Sequence, residues 1–241
     1  MTSVTAEHWG VPGQLSNTLS KEIAESCVSH NTQKLTACLF TWTTNPKYAD
    51  SYMNMFYNAV LPTQSDHTGS FVYHLPLGSP RNKKYLKDND FACCSGSGIE
   101  AYSQLNQSIY YHNDTALWVN LYIPSEVYWK EKNIKLEQNS KFPKNSIIDL
   151  TTKRKSNLSL ELLIPSWAKN TTLYINDEKQ HINAHSMSYL DLNREWTDKD
   201  KVKLVFQYDF HLKSMPDNSK VFAIYYGPIL LAFESKTEIA L

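Results

Sequence analysis

Apolar positions recur along this chain with two different periods, and the change falls near Ile109. Before it, over about residues 22–42, Val28, Leu35, Cys38, Leu39 and Trp42 return at helical spacing, and after Asn45-Pro46 so do Tyr48, Tyr52, Met55, Phe56 and Ala59. Gly98 to about Gln107 reads as a third, shorter helix, and Phe71-Val72-Tyr73 with the segment near Tyr85 as a small hairpin. Beyond Ile109 the period drops to two. Leu117, Val119, Leu121 and Ile123 alternate with Trp118, Asn120 and Tyr122; Leu158, Leu160, Leu162 and Ile164 follow the same rule, as do Val202, Leu204 and Phe206. Turns such as Asn176-Asp177 and Asp198-Lys199-Asp200 separate these runs, which predicts an antiparallel β-sandwich over 108–241. Two or three helices with wide apolar faces close no core of their own, so the helical part, 1–107, is expected to need further helices before Met1.

Composition narrows the function by exclusion. The 241 residues carry 24 Lys and Arg against 24 Asp and Glu, which leaves no net field to draw in nucleic acid or an anionic membrane. The apolar runs fall short of the roughly 18 residues of a membrane span, and Met1-Thr2-Ser3-Val4-Thr5-Ala6-Glu7 holds no signal-peptide core. Neither nucleic acid nor membrane is therefore an expected partner. Gly96-Ser97-Gly98-Ile99-Glu100-Ala101 fits a dinucleotide fingerprint on paper, but Asp88-Asn89-Asp90-Phe91 before it is no buried strand.

The chemistry concentrates in the cysteines. Cys93 and Cys94 are adjacent and precede the turn Ser95-Gly96-Ser97-Gly98, while Glu25-Ser26-Cys27 supplies a third thiol and a carboxylate. A vicinal disulfide strains the peptide between its cysteines, so this pair suits an ion or a reaction better. Three sulfurs and one carboxylate oxygen match a tetrahedral Zn2+ ion, with Zn–S near ~2.3 Å and Zn–O near ~2.0–2.2 Å. Cysteine is also a common buried hydrophobe, and that reading stays open for the same residues. Cys38, within Leu35-Thr36-Ala37-Cys38-Leu39-Phe40, reads as core filler.

Seven motifs, in order along nearly the whole chain, then carry a resemblance. They are Glu7-His8-Trp9-Gly10; Ala24-Glu25-Ser26-Cys27; Tyr48-Ala49-Asp50 with Tyr57-Asn58-Ala59-Val60-Leu61; Phe71-Val72-Tyr73-His74-Leu75-Pro76-Leu77; Phe91-Ala92-Cys93-Cys94 with Gly98-Ile99-Glu100; Leu117-Trp118-Val119-Asn120-Leu121-Tyr122-Ile123-Pro124-Ser125; and Ile164-Pro165-Ser166-Trp167-Ala168. The chain resembles glycoside hydrolase family 127, the β-L-arabinofuranosidase group first catalogued as a domain of unknown function. The resemblance implies an α+β multidomain fold, in which terminal helices of an (α/α)6 barrel (1–107) are followed by an antiparallel β-sandwich (108–241). It implies a retaining hydrolase of terminal furanosides, with Cys93 as a zinc-bound nucleophile, Glu25, Cys27 and Cys94 as the other zinc ligands, and Glu7 as acid/base.

Several finer expectations follow from it. Tyr73 and Glu25 stand at the substrate, and Trp9 either walls a sugar subsite or packs in an interface. Residues two apart converge in extended chain and not on a helix, so Glu25 and Cys27 belong in a non-helical lead-in or a first turn. The amino end of the helix after Gly98 favours a negative sulfur just before it. His112, His181, His185 and His211 carry no ligand spacing. The expected partner is a carbohydrate of the plant arabinofuranoside kind, with a homodimer left open. The full-length protein is expected to be bacterial, cytoplasmic or exported, and this piece is expected to be inactive alone. Two other readings remain: a non-catalytic carbohydrate-binding or structural zinc module, and a redox pair at Cys93 and Cys94, against which the Glu25 carboxylate counts.

Overall fold

The structure, a computed structural model, describes residues 11–19, 24–76 and 82–233. Among the described residues three α-helices, α1 (Ser26–Thr43), α2 (Pro46–Met55) and α3 (Cys93–Ser103), precede thirteen strands. α2 starts where Pro46 needs no N–H donor, and the Asn45 side chain accepts from Lys47 N at 3.1 Å. Its last turn widens into a π-helical segment, Phe56–Val60.

The polypeptide forms two compact units that interleave along the sequence. One gathers residues 1–36, 54–104 and 210–241; the other gathers 37–53 and 105–209. The second unit holds the sandwich along with helical residues 37–53. Strands β1 (Tyr110–His112), β2 (Ala116–Val119), β6 (Ser156–Ile164) and β9 (Ser188–Trp196) form a four-stranded sheet in the order β1-β2-β6-β9. Strands β3 (Ser125–Trp129), β4 (Ile134–Ser140), β5 (Ile147–Thr152), β7 (Thr171–Ile175), β8 (Glu178–Gln180) and β10 (Lys201–Phe206) form a six-stranded one in the order β3-β4-β5-β10-β7-β8.

The period-two pattern does what it predicts in β6 and β10. Leu158, Leu160 and Leu162 on one sheet and Val202, Leu204 and Phe206 on the other are all 3 % exposed or less. Between the sheets the fully buried Tyr122 donates to the Leu163 carbonyl at 2.5 Å, so its polar tip is satisfied within the core. Two details depart from the sequence reading. β2 pairs with β6 in parallel, the one parallel pair of the sandwich, and it is buried on both faces, so Trp118 is core rather than outward. Regular strand also ends at Val119, although Leu121 and Tyr122 beyond it remain fully buried.

In the other unit, β11 (Phe210–Met215), β12 (Asn218–Tyr226) and β13 (Ile229–Leu230) make a three-stranded sheet. The Asn58 side chain anchors it, donating to the Pro228 carbonyl at 2.9 Å and accepting from Leu230 N at 2.8 Å. The register sets Phe210 opposite Tyr226, Leu212 opposite Ile224 and Ser214 opposite Phe222. All five of these large side chains are exposed.

Helix α1 corrects two sequence expectations. Its buried side is Ser26, Cys27, Ser29, His30, Gln33, Thr36 and Phe40, whereas Leu35 is 56 % and Trp42 79 % exposed. The apolar stripe therefore faces outward and a polar one inward. Cys38 lies on that outer stripe and is exposed, so it is not core filler. The inner residues recur at the same three-and-four spacing, and the helical period alone does not say which stripe turns in. Hydrogen bonds hold the polar stripe: His30 Nε2 lies 3.1 Å from Glu100 Oε2 on α3, and Lys34 Nζ 3.0 Å from the same oxygen.

Candidate active site

A short antiparallel ladder opens the site. Ala24 adopts the left-handed region (φ 55°), and its carbonyl accepts from Leu75 N at 3.1 Å. Glu25 bridges His74, and Ser26 N donates to the Tyr73 carbonyl at 3.0 Å. The helical conformation of α1 begins only at Ser26, so Glu25 lies in extended lead-in and Cys27 in the first turn, in agreement with the two-residue spacing of the motif. The expected pairing of Phe71-Val72-Tyr73 with the Tyr85 segment is also present: Val72 bridges Tyr85, and Leu86 N donates to the Phe71 carbonyl at 2.8 Å.

The second half of the site comes from α3, and here the sequence reading needs correction. α3 begins at Cys93, not at Gly98, after an extended Ala92 with ψ 163°. Ser95-Gly96-Ser97 is thus helix rather than turn, because Ser95 N already donates back to the Ala92 carbonyl at 3.0 Å. Both thiols of the pair sit inside the first turn, where unpaired backbone N–H groups and the helix dipole favour negative charge. Gly98 fixes how closely α3 approaches: a Cβ there would stand 2.4 Å from the buried Phe71 ring.

These two pieces bring Glu25, Cys27, Cys93 and Cys94 together, their ligand atoms all within 4.8 Å of one another. Cys27 Sγ lies 3.3 Å from Cys94 Sγ, and Cys93 Sγ lies 4.0 Å from Cys94 Sγ. Sulfurs on a tetrahedral ion with Zn–S near 2.3 Å would be about 3.8 Å apart. Burial pushes the Cys27 thiol far above its ordinary pKa, partly offset by the Ser97 hydroxyl donating to its sulfur at 3.2 Å. The Cys94 thiol is raised by burial as well, with the Ser26 and Cys27 hydrogen bonds acting against it. Two buried thiols side by side stay neutral alone, whereas a bound divalent cation would deprotonate them. The donor set therefore fits a thiolate-preferring metal ion.

Exposure separates the four. Cys94 is fully buried, Cys27 is 8 % exposed, Glu25 is half-buried, and the Cys93 thiol is open to solvent. Tyr73 brings its hydroxyl to 3.8 Å from Cys93 Sγ, and its ring lies 4.6 Å from the His74 ring at a tilt of 38°. His74 Nε2 is buried without a hydrogen-bond partner among the described residues. Glu7 and Trp9 lie outside the described residues, so the structure is silent on the acid/base expectation. Ser97 is a site residue that the motif reading missed. Its signal was present all the same, since it follows Cys94 by three positions and so lies on the same helical face.

Two family models match the chain: "Beta-L-arabinofuranosidase, GH127 catalytic domain" over residues 2–107 and "Beta-L-arabinofuranosidase, GH127 middle domain" over residues 116–208. The chain belongs to glycoside hydrolase family 127.

Similar solved structures agree on the fold. A glycoside hydrolase matches with TM-score 0.79 at 23 % identity over 92 % of this chain and 39 % of its own. A GH127 β-L-arabinofuranosidase from Geobacillus stearothermophilus T6 matches with TM-score 0.77 at 23 % identity, over 88 % of this chain and 36 % of its own. A GH127 β-arabinofuranosidase matches with TM-score 0.79 at 22 % identity, over 94 % of this chain and 40 % of its own. No curated protein matches. The fold class is α+β, terminal helices of an (α/α)6 barrel followed by a β-sandwich, and the chain spans about two fifths of the length of these solved relatives. No helix among the described residues is long and apolar enough to cross a membrane.

Proposed function

We propose that this chain carries the nucleophile and metal centre of a retaining glycosidase for terminal furanosides such as β-L-arabinofuranosides. The observation that carries the reading is the asymmetry of the cluster: four metal-type donors converge, and only the Cys93 thiol opens to solvent. Glu25, Cys27, Cys93 and Cys94 would hold Zn2+, which supplies charge that keeps the sulfurs as thiolates at neutral pH. Cys93 Sγ attacks the anomeric carbon as the glycosidic bond breaks, and Glu7 gives the departing oxygen its proton. Water deprotonated by Glu7 then attacks the same carbon and displaces the sulfur, so configuration is retained. Tyr73, beside the sulfur, positions the nucleophile, and with Glu25 it borders the substrate. The accompanying division is 1–107 as the C-terminal portion of the catalytic barrel and 108–241 as the sandwich domain, of which the segment from 210 on clusters with the cysteine-bearing unit. The activity is proposed for this site within a family-length protein.

Mass spectrometry of the family-length protein with a furanoside bearing a good leaving group tests the reading. Glu7→Gln should accumulate one glycosyl mass on Cys93. An inverted product, or a Cys93→Ser variant that keeps its rate, would overturn it.

A further inference from the structure

On the outer face of the six-stranded sheet one register row crosses four neighbouring strands. Asn139 on β4 pairs with Asp149 on β5, Asp149 with Lys203 on β10, and Lys203 with Tyr174 on β7. Their sequence neighbours Ile148, Leu150, Val202, Leu204 and Leu173 are all buried at 1 % exposure or less, so alternation turns the four side chains outward together. With Lys201 and Asp177 they line an open depression of about 520 Å³, within the range of ligand sites. The row spans three strand spacings, about 14 Å, the length of a short oligosaccharide.

The polar groups there are idle. On the same face of the same sheet, Lys135 pairs with Glu126 at 2.7 Å and Lys153 pairs with Glu137. In the depression Asp149 and Lys203 stand opposite each other without an ion pair, and none of the four row side chains has a hydrogen-bond partner among the described residues. A carboxylate that accepts, an ammonium that donates, an amide that does both and a half-buried phenol ring make a complementary set for a hydroxyl-rich chain with apolar ring faces. Asp149 and Asp177 oppose a polyanion, and Lys201 and Lys203 oppose a polycation. We propose that the row Asn139-Asp149-Lys203-Tyr174 is a docking site for a neutral oligosaccharide, with Tyr174 as its stacking platform.

The choice of carbohydrate rests on the glycosidase reading, but the residues belong to the sandwich unit and not to the cysteine cluster. Calorimetric titration of the full 241-residue chain with arabinopentaose, xylopentaose and a galacturonate pentamer tests the site. The expected result is binding of a neutral pentasaccharide by the unmodified chain, by Tyr174→Phe and by Cys93→Ser alike. Tyr174→Ala and Asp149→Ala should weaken it at least about tenfold at unchanged melting temperature. No binding of either neutral sugar at millimolar concentration overturns the proposal. So does binding of the galacturonate alone, or affinity unaffected by both alanine variants. Binding that persists while Cys93 proves dispensable for turnover would remove the hydrolase reading and leave the docking site standing.

Discussion

Cys27 Sγ and Cys94 Sγ, 67 positions apart in the chain, lie 3.3 Å from each other, each in the first turn of its own helix. That contact sets side by side two buried thiols that burial keeps protonated at neutral pH and that a bound divalent cation would convert to thiolates.

Metal content should therefore follow the buried pair. Cys94→Ser is expected to lower zinc from about one per chain to a small fraction of that, whereas Cys38→Ser, altering an exposed residue, leaves it unchanged. Elemental analysis of the purified variants reads this directly. Equal metal in both would mean that the ligand set is wrong.

Turnover should depend on the exposed thiol. In a family-length protein Cys93→Ser should lower kcat by at least about a thousandfold, because a serine hydroxyl is a poorer nucleophile and the coordination changes too. Kinetics on an aryl furanoside would measure it.

Gly98→Ala should loosen the site from a distance. The new methyl group meets the Phe71 ring at 2.4 Å, and overpacking of this kind costs about 1–3 kcal/mol. The amino end of α3 must shift to relieve the clash, so zinc affinity should fall along with the melting temperature. An unchanged melt with full zinc would show that Phe71 moves aside freely.

The sandwich should lose stability as the pH rises through neutrality. Glu161 faces Asp191 in register across β6 and β9, and burial, followed by that neighbour's charge, raises its pKa to about 7 from 4.5. A carboxyl whose folded pKa is raised favours the native state while protonated. Its contribution is present below its unfolded pKa and is lost as the pH climbs toward the folded value. Glu161→Gln should thus flatten the pH dependence and stabilise the protein at pH 8 by about 1–2 kcal/mol, discounted for partial exposure. Thermal melts from pH 4.5 to 8 would check it; a wild-type curve flat over that range would contradict the pairing.

The residues of the site were legible in the sequence because chemistry depends on residue type. Glu25, Cys27, Cys93 and Cys94 stand out as a donor set wherever they fold, and the two-residue spacing of the first pair already demanded extended chain before the helix. The inward stripe of α1 was not legible. Its polar residues recur with the same period as its apolar ones, and the choice between them is made by Glu100 on another helix, which meets His30 and Lys34. The start of α3 was missed for a related reason, since Ser-Gly-Ser-Gly reads as a turn by propensity. The packing of Phe71 against Gly98 accompanies its helical course instead.

The switch from helical to alternating period, the strands β6 and β10 and the turn at Asn176-Asp177 follow from neighbours within a few residues, and the ligand inventory follows from residue type alone. Only the tertiary pairing makes β2 run parallel to β6, returns the chain from Phe210 on to the cysteine-bearing unit, and leaves Cys93 the one exposed thiol of the three. It also aligned Asn139, Asp149, Lys203 and Tyr174 across four strands. Those outcomes depend on which distant segments pair and in which register, and pairing is selected by the burial of the whole chain rather than by any local pattern.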